Sequence, residues 1–290
     1  MAALTMNRSW KKVFDEFKEF MWNPKTREFM GRTGSSWALI IIFYLVFYAV
    51  LSGIFALCLY VMLQTIDHNY PKYEDRLSYP GLMIRPNIPS LQITFNRQNT
   101  TWQPYVDGIN TALQDYNQST QQQRGIDCTF QGYFRQDNIT TPKQACQFTR
   151  DLLGNCSGLD DTTYGYANGT PCVLIKMNRV IHFLPELIPK FSNSSITISC
   201  TGKNDNLLGS RVYFPSTNQN MGSIDLKYYP YYGQWAQPNY TQPFVAVQFL
   251  NLTQNMDHNV ECLVNAGNIV NDNDRDKFQG RVYFTLRSNS

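Results

Sequence analysis

Histidine is scarce in this 290-residue chain: there are three, His68, His182 and His258, and they stand far apart. The sequence has no G-x-S-x-G elbow, no H-E-x-x-H pair and no Gly-rich phosphate loop, so the usual constellations of hydrolases, zinc enzymes and nucleotide binders are missing. Its cysteines form no C-x-x-C pair, which argues against a zinc knuckle. With a net charge of +3 and no basic stripe, nucleic acid is not an expected partner. The acidic run Asn271-Asp272-Asn273-Asp274 lacks the Gly and the distal Glu of a calcium loop and reads as a solvated turn. His182, in RVIHFLP, reads as a structural residue in a strand-like run. No catalytic residue, metal ligand or cofactor is expected, an ectoenzyme is the losing reading, and no repeat is visible.

A further absence is more informative. No charged residue occurs from Thr33 to Ile66, and the middle of that window reads LIIIFYLVFYAVLSGIFALCLYVML, Leu39 to Leu63. A hydrocarbon core about 30 Å thick needs roughly 20 apolar residues, so this run spans with tilt to spare. A cleavable signal peptide has a shorter apolar region followed by a small-residue cleavage site, and neither applies here. The expectation is one uncleaved signal-anchor helix, with no second candidate downstream.

Basic residues orient it. Arg8, Lys11, Lys12, Lys18, Lys25, Arg27 and Arg32 precede the span, whereas Asp67 opens the other flank with only Lys72, Arg76 and Arg85 near. The positive-inside rule makes this a single-pass type II membrane protein, with a cytoplasmic N-terminus and an extracellular C-terminus. The expected divisions are a cytoplasmic tail (1–36), a transmembrane helix (37–66), an extracellular stalk (67–104) and an extracellular β-sandwich domain (105–290).

Cysteines and sequons agree with that orientation. Six of the seven cysteines, Cys128, Cys146, Cys156, Cys172, Cys200 and Cys262, lie beyond the span, an even number suited to an oxidising compartment. Counting alone fixes no pairing. Cys58, inside the span, reads as a small apolar residue. N-x-S/T sequons stand at Asn99, Asn117, Asn138, Asn155, Asn168, Asn193, Asn239 and Asn251, all on the outer side. Asn7 also begins such a triplet, but a cytoplasmic tail does not meet the glycosylation machinery.

In the tail, WKKVFDEFKEFMW places Phe14, Phe17 and Met21 at helical spacing, which suits a helix on the inner membrane surface as well as it suits a partly disordered tail. Asn23-Pro24 ends any such helix. Within the span Tyr44 and Tyr48 share a face, and Ala49, Ser52, Gly53 and Ala56 give the small-xxx-small spacing that admits another helix. The Pro- and Tyr-rich stretch around PGLMIRPNIP reads as an extended stalk. Val106, Ile109 and Leu113 fall on one side of a helix between Trp102 and Tyr116.

Strand signals dominate afterwards. SITISC and NVECLV alternate, each putting its cysteine on the apolar face, and FVAVQFL and GRVYFTL are two further strands. A mainly β, antiparallel sandwich follows, in which a 200–262 bridge would cross between two packed sheets. KYYPYYG, Lys227 to Gly233, gathers Tyr228, Tyr229, Tyr231 and Tyr232 around a proline that excludes a central strand. Either these rings enter a core or they form a flat platform for another protein.

Two long stretches carry a family likeness: FKEFMWNPKTREFMGRTGSSW, Phe17 to Trp37, and KQACQFTRDLLGNCSG, Lys143 to Gly158. PGLMIRP, CVLIKMNRVI, YYPYYG and GRVYF add to it. Along essentially its whole length the sequence resembles the β subunits of the P-type Na⁺,K⁺- and H⁺,K⁺-ATPases. FMGRTGSSW, FYLVFY, VMLQT, PKYEDRL and ACQF look most like the β2 type of Na⁺,K⁺-ATPase, which is also described as an adhesion molecule. MAAL, ALCLYVM and HFLPEL resemble the gastric proton-pump β subunit.

The resemblance implies an immunoglobulin-like ectodomain and the pairings Cys128–Cys146, Cys156–Cys172 and Cys200–Cys262. It implies a non-catalytic role: assembly with a catalytic α subunit, delivery of the pump to the plasma membrane and tuning of K⁺ affinity, with a small single-span regulatory subunit as a further partner beside the lipid bilayer. By the same resemblance Tyr44, Tyr48 and Gly53 face a helix of the α subunit. Tyr228, Tyr229, Tyr231, Tyr232 and Gly233 would contact one of its extracellular loops. An H⁺,K⁺-ATPase β subunit, or cell adhesion by the ectodomain, is the alternative.

Overall fold

The computed structural model describes residues 10–67, 71–74, 76–136, 141–202, 208–217, 219–273 and 275–289. The chain divides after Asp67 into two compact units.

The N-terminal unit begins with helix α1 (Trp10–Met21), whose Val13, Phe14, Phe17 and Phe20 are all exposed. It stops before Asn23-Pro24 as expected, because proline bars the helical conformation at the residue ahead of it. Three two-residue strands follow, β1 (Trp22–Asn23), β2 (Glu28–Phe29) and β3 (Arg32–Thr33), in one antiparallel sheet. The Asn23 carboxamide accepts the Lys25 N–H at 3.0 Å and turns the chain at Pro24. Helix α2 (Gly34–Gln64) comes next, and Trp37 in its first turn donates its indole N–H to the Phe29 carbonyl at 2.8 Å. At 31 residues it is about 46 Å long, enough to cross a bilayer with tilt. It is apolar on every side and none of its side chains is buried. A soluble core helix has that composition only when it is enclosed.

The C-terminal unit is a pair of facing sheets. One runs in the order β4 (Leu82–Arg85), β6 (Cys172–Met177), β10 (Val245–Leu250), β8 (Ser210–Phe214). The other runs β5 (Gln92–Asn96), β12 (Arg281–Asn289), β11 (His258–Asn265), β7 (Ser195–Gly202), β9 (Gly222–Asp225). Alternation sets the core between them. Ile84, Ile175, Val245 and Val247 from one sheet meet Ile93, Phe284, Val260 and Ile198 from the other, all buried, and Phe249 meets Phe284 edge to face at 6.2 Å. Gly222 lets the sheets close, since a Cβ there would lie 2.3 Å from a Val245 methyl. Helix α3 (Gln103–Leu113) buries Val106, Ile109 and Leu113, the three positions expected from its periodicity. A short helix, α4 (Gln118–Arg124), follows it.

Four expectations are corrected. The segment 67–104 is not a stalk throughout: β4 and β5 lie in it and bury Leu82, Ile84, Ile93 and Phe95, so the sandwich draws its strands from Leu82 onward. Nor is the sandwich wholly antiparallel, because β5 runs parallel to β12. The Cys200–Cys262 bridge joins directly opposed residues of neighbouring strands within the five-stranded sheet, Cα atoms 4.0 Å apart, instead of crossing between sheets. Side-chain alternation tells which face a cysteine points from but not whether its partner is beside it or across. His182 is no strand residue: it turns the chain at φ 60° and pairs with Glu74 at 3.0 Å.

Candidate partner-binding surfaces

Because α2 is regular from Gly34 to Gln64, residues four apart stack along it. Tyr44 and Tyr48 do so with centroids 6.0 Å apart and planes at 23°, and Phe43 and Phe47 form a second stack at 6.1 Å. The two stacks meet edge to face, Phe43 with Tyr44 at 5.4 Å and Phe47 with Tyr48 at 5.5 Å. The four rings thus make a continuous raised patch. One turn further on, Gly53 has no atom within 4 Å of where a Cβ would stand. A ridge of aromatic rings beside a small-residue hollow is a shape that another helix fits closely.

The tyrosine-rich segment behaves otherwise. Tyr228, Tyr229, Tyr231 and Tyr232 are only 5%, 7%, 7% and 4% exposed, so of the two readings the rings follow the core one and pack within this chain. Phe148 meets Tyr228 at 5.6 Å, Tyr240 meets Tyr231 at 4.7 Å, and His182 meets Tyr232 at 5.6 Å. The Tyr232 hydroxyl accepts the Gln136 N–H at 2.7 Å, and the Phe134 N–H donates to the Tyr229 carbonyl at 2.8 Å. Gln237 donates to the Gln144 carbonyl at 2.6 Å. These contacts tie the segment to the loop closed by Cys128–Cys146. Burial raises the Tyr229 hydroxyl well above its usual range, and burial with the nearby Asp225 and Asp127 carboxylates does the same to Tyr228. Gly233, at φ 92°, turns the chain away where a side chain is disfavoured. The exposed ring here is Trp235, 64% accessible, which the tyrosine count drew attention away from. Its signal was a lone indole between the turn at Gly233 and Pro238.

The three disulfides join Cys128 with Cys146, Cys156 with Cys172 and Cys200 with Cys262, and Cys58 is unpaired. Of the sequon asparagines, Asn99, Asn117, Asn155, Asn168, Asn193, Asn239 and Asn251 are all exposed, whereas Asn138 lies outside the described residues. His68 lies outside them too. His258 is buried with its ring nitrogen 2.8 Å from the Thr253 carbonyl. Among the described residues no three His, Cys, Asp or Glu side chains gather as a metal would require.

An apolar, aromatic-ridged helix long enough to cross a membrane and a mainly β unit with three disulfides and exposed sequons define the class: a chain with one candidate membrane span and a disulfide-bonded β-sandwich. The model of the sodium/potassium ATPase beta chain family matches residues 7–284, and the chain belongs to that family. A sodium/potassium-transporting ATPase subunit beta-2 of Rhinella marina is 59% identical, with 99% of each chain covered. The subunit beta-2 of Homo sapiens is 51% identical over 97% of each chain. Protein ATP1B4 of Xenopus laevis is 42% identical over 96% of this chain and 87% of its own.

Proposed function

We propose that this chain is the non-catalytic β subunit of a Na⁺,K⁺-ATPase, anchored once in the plasma membrane with its N-terminus in the cytoplasm and its disulfide-bonded unit outside. The observation that carries this is the bare ring ridge of α2, in a chain similar over nearly all its length to subunits beta-2. Those relatives favour Na⁺ over H⁺ as the exported ion.

The mechanism is assembly. A polytopic catalytic subunit exposes backbone and small side chains along its outer helices, and lipid offers no hydrophobic drive to cover them. Tyr44, Tyr48 and Gly53 supply shape: stacked rings hold each other's rotamers and lose little entropy when a helix packs on them. The Phe43–Phe47 stack leaves a second flank for a small single-span subunit. Outside, disulfides hold the tyrosine segment rigid, and Trp235 replaces the buried tyrosines as the ring available to the α subunit. Export follows because the paired late helices no longer expose unsatisfied surface. K⁺ affinity shifts only as far as the β contacts differ between two pump conformations.

Changing both Tyr44 and Tyr48 to Ala and co-purifying the α subunit tests the helix assignment. Recovery is expected to fall severalfold; wild-type recovery and transport would contradict it.

A further inference from the structure

Three cations converge on the outer face of the four-stranded sheet. In the β4–β6 pair Met83 stands opposite Lys176 and Arg85 opposite Leu174, so Arg85 and Lys176 project from the same face as diagonal neighbours. Arg179 follows just past the end of β6. The Lys176 ammonium lies 5.7 Å from the centre of the Phe244 ring and the Arg179 guanidinium 5.5 Å from that of Tyr231. The Tyr116 ring lies 5.1 Å from that of Phe244, against which Lys176 packs, and Arg179 and Arg85 both act on the buried Tyr116 hydroxyl, so the three cations are neighbours. Partial burial and the two guanidiniums bring the Lys176 ammonium from 10.5 down to about 8. Among the described residues none of the three is in an ion pair with a carboxylate, and Asp115, which also acts on Tyr116, is held by Arg124 at 3.0 Å.

We propose that this cluster is a receptor for a carboxylate on an extracellular segment of the catalytic subunit, a reading that rests on the β-subunit assignment above. Three like charges crowded beside aromatic rings raise the free energy of the lone chain, and an arriving anion relieves it. The buried rings of Tyr116, Tyr231 and Phe244 lower the local dielectric on one side of the cluster, which strengthens a charge pair formed there. Guanidinium forks match a carboxylate in two parallel hydrogen bonds. A protein carboxylate fits better than an acidic sugar, because Lys176 and Arg179 already cover a face of Phe244 and of Tyr231, leaving less room for a pyranose to stack.

The test co-expresses the full-length chain with the catalytic subunit and measures the amount recovered, at about 0.1 M and about 1 M salt, where the Debye length falls from about 10 Å to about 3 Å. Lys176→Met and Arg179→Gln are compared with Lys176→Arg, each checked for wild-type disulfides and glycan pattern. Wild type and Lys176→Arg are expected to recover the catalytic subunit in a salt-sensitive way. The two neutral variants should recover about tenfold less at low salt and respond weakly to salt. Undiminished recovery with the neutral variants overturns the proposal. So does an equal loss with Lys176→Arg, which would mean packing and not charge, and so does a loss reproduced by sialidase treatment, which would assign the anion to a sugar. If wild type recovers nothing while the chain is folded, the β-subunit reading falls along with this one.

Discussion

Lys176 is a base held where its charge is unwelcome, and the consequence can be read by titration. Burial, then Arg85 and Arg179, lower its pKa in the folded chain from 10.5 to about 8. Between those values the unfolded chain binds more protons, so stability rises with pH across that window; below about 8 the penalty is present in full. Lys176→Met is therefore expected to raise the melting temperature at pH 7, with the gain over wild type shrinking as pH climbs toward 10.5. A gain that persists unchanged at high pH would mean that packing, not charge, was responsible. A second residue tests the tyrosine segment. The Tyr232 hydroxyl is the acceptor for the buried Gln136 N–H, so Tyr232→Phe leaves that donor unsatisfied. Denaturant unfolding should report a loss of about 1–3 kcal/mol. A neutral result would show that the N–H finds another acceptor.

At the scale of elements, the Cys128–Cys146 loop and the tyrosine segment form one cooperative piece. Replacing both cysteines by alanine is expected to cost about 2–5 kcal/mol and to speed amide exchange at Tyr229 to Tyr232. Unchanged exchange would separate the two. Elements with strong periodicity were legible in the sequence: α1, α2, α3, β7, β10, β11 and β12 each lie where apolar spacing put them. β4 and β5 were not, because prolines at 80, 86 and 89 make that stretch look extended and unpaired, and edge strands tolerate such neighbours. β6 is buried on both faces and β8 buries only Tyr213, so neither shows a clean alternation. The ridge on α2 was readable from a four-residue spacing. The fate of the tyrosines was not, because burying them depends on a loop roughly a hundred residues earlier. The Arg85–Lys176–Arg179 cluster was hidden for the same reason: only pairing of β4 with β6 brings Arg85 to the other two.

For the molecule as a whole, the two units divide the work. The N-terminal unit offers a helix whose every side is open, and the C-terminal unit offers a rigid head with exposed sequons. The family to which the chain belongs is the beta chain of the pump, an accessory and not a catalytic subunit, so the transport chemistry belongs to the catalytic subunit. The most direct measurement is to isolate the full-length chain from membranes in mild detergent and identify what travels with it. The account predicts the catalytic subunit of a P-type Na⁺,K⁺ pump in equal amount. A chain that is folded, glycosylated and alone would contradict it.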